Sequence, residues 1–292
     1  MTVDDVCAVV VTFHPCMDVF DNLAKACSQF RKLIVVDNGS EEPMLEDLHR
    51  ASEAIGFELI ANGCNLGIAT ALNIGVRRAA ERNCQAVVLF DQDSTVTDGF
   101  LEAMLAAFES NPRRDKVAIV APRHWDRNAE SWLAPQRCPD GSLRVTITSG
   151  SMIPMSVLSN CGWFDDDYFI DMVDTEYCLR VRSRGFMILL AESAGLLHSV
   201  GTLKEHSLLG LKTYRASHHS AARRYYITRN RLVTLIRYWR FERSLAYHVP
   251  KSIVLDAIII ALYEKQSLRK IANTFIGVAD ALRGRMGKVI DL

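Results

Sequence analysis

Absences set the first bounds on this chain. Its 292 residues carry 34 lysines and arginines against 34 aspartates and glutamates, so no net charge draws it toward nucleic acid. There are eight cysteines but no CxxC pair. Such spacing suits neither a zinc site nor a disulfide framework, and the cysteines read as reduced core residues in a reducing compartment. The N-terminus, MTVDDVCAVVVTF, places acids rather than a basic region ahead of its apolar stretch, and reads as a first strand rather than a signal peptide. No uninterrupted apolar run reaches the roughly 18–20 residues of a spanning helix. The longest candidate, residues 253–262, is broken by Asp256. No internal repeat and no low-complexity segment is present. Neither GxGxxG nor a Walker loop occurs, which disfavours NAD binding and P-loop chemistry.

What the sequence does contain is an alternation. Short β-branched or apolar runs at residues 8–12, 33–36, 57–60, 86–90 and 117–120 are separated by amphipathic stretches. Over residues 68–82, Leu72, Val76, Ala79 and Ala80 share a helical face while most of the charges lie elsewhere. Strand–helix alternation predicts an α/β fold with a mostly parallel central sheet flanked by helices. Residues 122–144, with three prolines and two tryptophans, read as a loop or hairpin. A strand is expected at 145–148, a helix over 174–185 ending at Gly185, and a strand at 187–191. From 202 to 220 the periodicity is lost, which predicts a flexible flap. The chain then turns mostly helical, so the expected division is an α/β domain over 1–220 and a helical region over 221–292.

In open parallel sheets ligands bind beyond the carboxyl ends of the strands. Polar clusters fall there repeatedly: Thr12-Phe13-His14-Pro15, Asp37-Asn38-Gly39-Ser40, the segment from Asn62 to Gly67, Asp91-Gln92-Asp93, and Thr148-Ser149-Gly150-Ser151. The sharpest is Asp91-Gln92-Asp93. In extended geometry residues i and i+2 point to one side, and two adjacent carboxylates repel unless a cation lies between them. A hard cation such as Mg²⁺ or Mn²⁺ fits, held by carboxylates together with substrate phosphates. The plainer reading is a turn with capping acids, since Asp93-Ser94 also suits a helix start. Asp37 taken alone is a turn residue. Gly63 and Gly67 permit close backbone approach ahead of a helix whose first N–H groups are free. Further on, Asp171 and Asp174 stand i,i+3 and can share a helical face, so either can be a base facing a cleft. Glu176 and Arg180, at i,i+4, read as a solvated pair. His198 is weighed as a metal ligand against a packed histidine.

These residues in this order resemble the family 2 glycosyltransferases of GT-A fold. The resemblance runs through Val9 to Pro15, Leu33 to Ser40, Asn65 to Val76, Phe90 to Ser94, Thr148 to Pro154 and Gly162 to Gly185, roughly the first two-thirds of the chain. Within the family, Phe90-Asp-Gln-Asp-Ser94, the segment from Phe169 to Arg180, and Arg223-Arg-Tyr-Tyr-Ile-Thr-Arg-Asn230 look most like bacterial rhamnosyltransferases. The resemblance implies that Thr12 and Asp37 contact the base and ribose, and that Asn65, Gly67 and Asn73 shape the nucleotide loop. It also places Phe13, Gln92 and Arg229 at the donor. Asp91 would lie near ribose and metal, and Asp93, with His198, would hold the metal that bridges the diphosphate. Asp174 would be the general base, with Asp171 as the alternative. The chain departs from the broader family at Val173, where a glutamate commonly precedes the base.

The implied function is inverting, metal-dependent transfer of L-rhamnose from dTDP-L-rhamnose to a glycan acceptor, in a cytoplasmic enzyme of bacterial surface polysaccharide synthesis. Alternatives are the same fold with another donor such as UDP-galactose, a nucleotidyltransferase, or a sugar-nucleotide binder without catalysis. Val-Thr-Phe-His-Pro stands where a nucleotidyltransferase wants a glycine-rich loop with a basic residue. From Lys212 to Arg243 the charges are nearly all basic and interleave with Tyr225, Tyr226, Tyr238 and Trp239. That pattern suits the anionic inner face of a membrane, or the diphosphate of a lipid-linked acceptor. It equally suits a packed helix or a dimer interface.

Overall fold

The computed structural model describes residues 1–198, 204–208, 212–216 and 219–291, with the side chains of 204–208 and 212–216 left out of account. Residues 1–165 and 177–199 form one compact unit, and residues 166–176 and 200–292 a second. The 166–176 segment thus groups with the C-terminal helices rather than with the sheet.

The first unit begins as four strands with crossover helices: β1 (Val6–Thr12), α1 (Val19–Cys27), β2 (Lys32–Asp37), α2 (Met44–Ala51), β3 (Glu58–Ala61), α3 (Ile68–Glu81) and β4 (Ala86–Asp91). β1 pairs in parallel with both β2 and β4, and β2 with β3. β1 is buried at every position and β4 at all but its last. Strands covered on both faces read as unbroken apolar runs, which is why these stand out in the sequence. α3 lies so close to β1 that a Cβ at Gly75 would collide with Val9.

The chain continues with β5 (Thr95–Val96), α4 (Phe100–Glu109), β6 (Val117–Asp126), β7 (Ser131–Trp132), β8 (Met152–Pro154), α5 (Met155–Cys161), α6 (Val173–Ser183) and β9 (Met187–His198). Among the described residues the sheet has nine strands in the order β3-β2-β1-β4-β8-β6-β9-β5, with β7 beside β6. β6 and β9 run parallel, and β8 runs antiparallel to both β4 and β6. The hairpin expected after residue 122 is β6–β7, but β6 itself runs through Pro122. The register slips between Pro122 and Arg123, an irregularity of the kind that admits a proline inside a strand. The strand expected at 145–148 is not formed, and the pairing passes to β8. Thr146 instead exchanges hydrogen bonds with the Cys178 thiol, and Ser151 closes a turn onto Ile147 and Thr148.

In the second unit, β10 (Lys204–Leu208) and β11 (Lys212–Ala216) pair antiparallel, and residues 202, 203, 209–211, 217 and 218 of the expected flap lie outside the described residues. Three helices follow: α7 (Ala221–Tyr238), α8 (Leu245–Tyr263) and α9 (Ser267–Arg283). α9 packs tightly on α7, since a Cβ at Gly277 would come within 2.7 Å of the Tyr225 carbonyl oxygen. α8 is longer than its apolar run at 253–262 suggests. It has 19 residues and a mean hydropathy of 1.6, long and apolar enough to cross a membrane by length and composition. All eight cysteines are free, but the core reading holds for only four of them: Cys7, Cys84, Cys161 and Cys178 are buried, whereas Cys16 and Cys64 are exposed.

Candidate active site

In the strand order β3-β2-β1-β4 the chain reverses its winding between β1 and β4. That is the switch point at which open α/β sheets leave a crevice beyond the strand ends. Thr12 ends β1, Asp37 ends β2 and Asp91 ends β4.

Asp37 is buried and organises the loop after β2. It accepts hydrogen bonds from Thr12 Oγ1 at 3.0 Å, the Gly39 amide at 3.1 Å, the Ser40 amide at 2.8 Å and Ser40 Oγ at 2.6 Å. Asn38 ties that loop to the next. Its Nδ2 donates to Asn65 Oδ1, and its Oδ1 accepts from Asn62 Nδ2 and the Leu66 amide. Asn65 in turn accepts from the Gly67 amide at 2.9 Å. Gly39 has φ +101°, and a Cβ there would lie 2.6 Å from the Cys64 carbonyl carbon, so the contact of the two loops needs glycine. Phe13, partly exposed, donates its amide to Gln92 Oε1 at 2.8 Å and so joins the β1 loop to the acidic one. The fold therefore brings Thr12, Phe13, Asp37, Asn65, Gly67 and Gln92 onto linked loops. Asn73 lies apart from them. It is buried within α3, and its amide pairs with both backbone groups of Phe164.

Beyond β4, Asp91, Asp93 and His198 offer one ligand atom each within 4.8 Å of one another. His198 Nδ1 is 3.2 Å from Asp93 Oδ1 and 3.1 Å from Ser94 Oγ. Two carboxylates and one imidazole on a partly exposed rim suit a divalent ion such as Mn²⁺ or Mg²⁺, with positions left for water or phosphate. Burial alone would push the His198 imidazolium down. The hydrogen bond it donates to Asp93 and the charges of Asp93, Asp91 and Asp126 outweigh it and leave its pKa raised.

Two residues here escape a sequence reading. Ser149, fully buried, sits beneath the triad: its Oγ accepts from the Asp91 amide at 3.1 Å and pairs with Ser94 Oγ at 2.7 Å, while its carbonyl oxygen meets His124 Nε2 at 2.9 Å. Its cluster was visible as a polar strand end, but its role required the fold. Asp126, buried at the end of β6, stands in register with His198 across the β6–β9 pair. Only the continuation of β6 past Pro122 brings it there.

The second unit holds the other candidates. Asp171 is not on a helix with Asp174, because α6 starts at Val173. It lies in a loop where Phe169, Asp171 and Met172 all have φ between +59° and +66°. Left-handed backbone at non-glycine residues is strained and persists only where surroundings over-determine it. Asn230 does so, donating from Nδ2 to the carbonyl oxygens of Tyr168, Ile170 and Asp171 at 2.8, 2.7 and 3.0 Å. Arg229, expected at the donor, is instead fully buried. Its guanidinium donates to Asn230 Oδ1 and to the carbonyl oxygens of Gly287, Asp167 and Tyr168. Asp171 is ion-paired with Arg223. Asp174 accepts from the Thr175 amide and hydroxyl, yet burial, reinforced by the Asp171 charge, leaves its pKa raised. Glu176, expected in a solvated pair, is buried and accepts from the Tyr238 hydroxyl at 2.6 Å. Arg180 donates to the carbonyl oxygens of Cys161 and Trp163.

Comparison with known proteins bears on all of this. The model of the family described as Glycosyl transferase family 2 matches residues 11–158, half of the chain. The dTDP-rhamnosyl transferase RfbF of Shigella flexneri is 26% identical over 307 aligned positions, covering 96% of each chain. Among solved structures, the mannosyltransferase PcManGT of Pyrobaculum calidifontis, in complex with GDP-Man and Mn²⁺, matches with a TM-score of 0.58 at 14% identity, over 98% of this chain and 76% of that one. TarS 1-349 of S. aureus, in complex with UDP-GlcNAc, matches with a TM-score of 0.53 at 13% identity, over 98% and 99%. At those identities the structural likeness concerns the fold alone. That fold is the expected GT-A type, a mostly parallel sheet flanked by helices.

Proposed function

The chain belongs to glycosyl transferase family 2, and from that premise we propose that it transfers L-rhamnose from dTDP-L-rhamnose to a glycan acceptor, with inversion at the anomeric carbon. The observation that carries the sugar is the similarity to a dTDP-rhamnosyl transferase along nearly the whole of both chains. In this reading the enzyme works at the cytoplasmic side of the membrane, in the synthesis of a surface polysaccharide.

The linked loops after β1, β2 and β3 cradle the nucleotide. Thr12 and Phe13 line the base, and the Asp37 carboxylate fixes the turn that presents Gly39 and Ser40. Asn65 and Gly67 shape the entry to α3. Asp91, Asp93 and His198 hold the divalent ion, whose charge, when it is bound, offsets the negative charge developing on the departing nucleoside diphosphate. Asp174 takes the proton from the acceptor hydroxyl, a poor nucleophile without a base in hydrogen-bond reach. A raised pKa suits that task, because a stronger base removes a hydroxyl proton more readily. Asp171, neutralised by Arg223, suits it less.

Thermal unfolding against dTDP-L-rhamnose, UDP-galactose and GDP-mannose, with and without Mn²⁺ or Mg²⁺, tests the donor. At a hundred times its dissociation constant the true donor adds about 2.7 kcal/mol. A metal-dependent rise with dTDP-L-rhamnose alone supports the proposal. A rise with UDP-galactose alone replaces the sugar. No rise with any of them removes the donor site.

A further inference from the structure

Of the charges on α8, α9 and the turn between them, the acids and one cation, Lys270, are paired inward. Asp256 meets Arg231 Nη1 at 2.7 Å and Arg224 Nη1 at 3.6 Å. Glu264, its side chain fully buried, lies between Arg224 Nη2 at 2.6 Å and Lys270 Nζ at 2.7 Å. Asp280 accepts from the Tyr225 hydroxyl at 2.9 Å. The acids of both helices thus turn inward, while Lys251, Lys265, Arg269 and Arg283 stay exposed. The arginines of α7, which in sequence form the basic patch, are taken up internally: Arg223 by Asp171, Arg224 by Glu264, Arg229 by carbonyl oxygens and Arg231 by Asp256.

The apolar side chains are sorted as well. On α8, Tyr247, Val254, Ile258 and Leu262 are 44–63% exposed. By the 3.6-residue period they form one stripe, with Lys251 in it. Val249, Asp256 and Ile260 fall on the opposite side, and Val249 and Ile260 are buried. On α9, Leu268, Phe275 and Leu282, each seven residues from the last, are 84%, 69% and 73% exposed. For a helix of such hydropathy, 11% burial is little. An apolar stripe of this extent marks a binding surface.

We propose that α8 lies on an anionic lipid bilayer, its stripe from Tyr247 to Leu262 among the acyl chains and Lys251 at the headgroups. Charge decides the occupant. A second copy docked by the same face would bury Lys251 of both copies in an apolar seam, whereas anionic lipid takes both the apolar stripe and the cation. The ion pairs of Asp256 with α7 tie the opposite side of α8 to the protein, so the helix lies in the interface and does not cross. The proposal does not depend on the transferase reading.

Co-sedimentation of the full chain with vesicles tests it. We compare phosphatidylcholine alone with phosphatidylcholine plus phosphatidylglycerol, at low and high salt, and measure the mass in solution by light scattering. The chain should bind only the anionic vesicles, and less so at high salt. The double substitution Ile258→Glu with Leu262→Glu should lower binding on the order of tenfold or more. Lys251→Gln should lower it roughly fivefold. Both changes are on exposed positions, so melting and turnover on a water-soluble acceptor should not move. A chain that stays in the supernatant with both vesicles overturns the proposal, as does a double variant that binds like its parent. A dimer in solution that the double variant converts to a monomer overturns it in favour of a second copy. Vesicle binding by a chain with no transfer activity would support this proposal and remove the transferase reading.

Discussion

Arg223 grips Asp171 with two nitrogens, Nε and Nη2, each 3.1 Å from a carboxylate oxygen. Asp174, three residues on, has its pKa raised by burial and by the Asp171 charge. The sequence left these two acids as alternatives. We propose Asp174 as the base, because the Asp171 carboxylate is held by the Arg223 guanidinium while burial raises the Asp174 pKa. Asp174→Asn should therefore lower turnover on the order of 10²–10⁴-fold while donor affinity, read by calorimetry, stays unchanged. Asp171→Asn should cost far less turnover and about 0.5–1 kcal/mol of stability, the scale of a partly exposed ion pair. The reverse ranking would hand the role to Asp171.

The same shift fixes a sign for pH. The base must be ionised, so kcat/KM should fall as pH drops through a value above the ordinary aspartate pKa of about 3.9. Stability runs the other way. A carboxyl whose folded pKa is raised favours the folded state when protonated. That contribution is complete below the unfolded pKa and is lost as pH rises through the folded one. Asp174→Asn should then melt higher than its parent at neutral pH, with the difference closing in acid. An acid limb at the ordinary value, or a variant that melts lower at neutral pH, would refute the assignment.

How far these residues were legible depends on what kind of order places them. The strands β1, β2 and β4 are buried on both faces, so their apolar runs and the acids that end them, Asp37 and Asp91, show in one dimension. The α3 face shows through its period. Asp126 and His198 do not, because their meeting depends on the β6–β9 register and on a strand that passes through Pro122. Proline signals a break wherever it stands, and only the sheet reveals that the strand resumes. The arginines of α7 misled for another reason: charge content is visible in sequence, but whether Arg229 faces solvent or the carbonyl oxygens of Asp167 and Gly287 is decided by packing. The i,i+3 spacing likewise allowed Asp171 and Asp174 to share a helical face, whereas the chain at Asp171 adopts left-handed backbone that an amide from α7 secures.

Ser149 supports the proposed metal triad without joining it. It fixes the Asp91 amide and Ser94 Oγ, and Ser94 reaches His198. Residues that orient ligands in this way are typically worth 10–100-fold in metal affinity. Ser149→Ala should weaken Mn²⁺ binding by roughly that factor and, because the Asp91 amide and Ser94 Oγ lose this partner, lower stability by about 1–3 kcal/mol. Manganese titration followed by electron paramagnetic resonance reads it directly. An unchanged affinity would show that Ser149 does not position the triad for the ion.

Thiol chemistry checks the packing of the sheet. The Cys7 thiol, in the middle of buried β1, is pushed up to about 12 by burial and then by Cys84. The thiolate is the reactive form. Cys16 and Cys64, both exposed, should alkylate within the first minutes of iodoacetamide treatment, and Cys7 only on unfolding. Mass spectrometry of the labelled peptides would distinguish the three. Rapid labelling of Cys7 in the folded protein would contradict the placement of β1 at the centre of the sheet.

Asn230 offers the sharpest test of the second unit. One amide nitrogen holds three carbonyl oxygens, those of Tyr168, Ile170 and Asp171, in a loop whose backbone is left-handed at Phe169, Asp171 and Met172. Strained backbone of this sort returns to a relaxed form when its restraint is removed, and the residue that follows it moves too. Asn230→Ala removes a donor from the partly buried carbonyl oxygens of Ile170 and Asp171, at about 1–3 kcal/mol for each lost partner, while the Tyr168 carbonyl oxygen keeps its bond from Arg229. The variant should lose on the order of 2–4 kcal/mol of stability, and Asp174 should no longer be held where it can act. Turnover would then fall by far more than donor affinity, at temperatures well below the lowered melting point. Asn230→Asp separates strain from charge: it keeps the size but removes the donor, so it should resemble the alanine variant. If Asn230→Ala melted lower yet turned over at the parental rate, the loop would be a structural strut, and its strain would have no part in positioning the base.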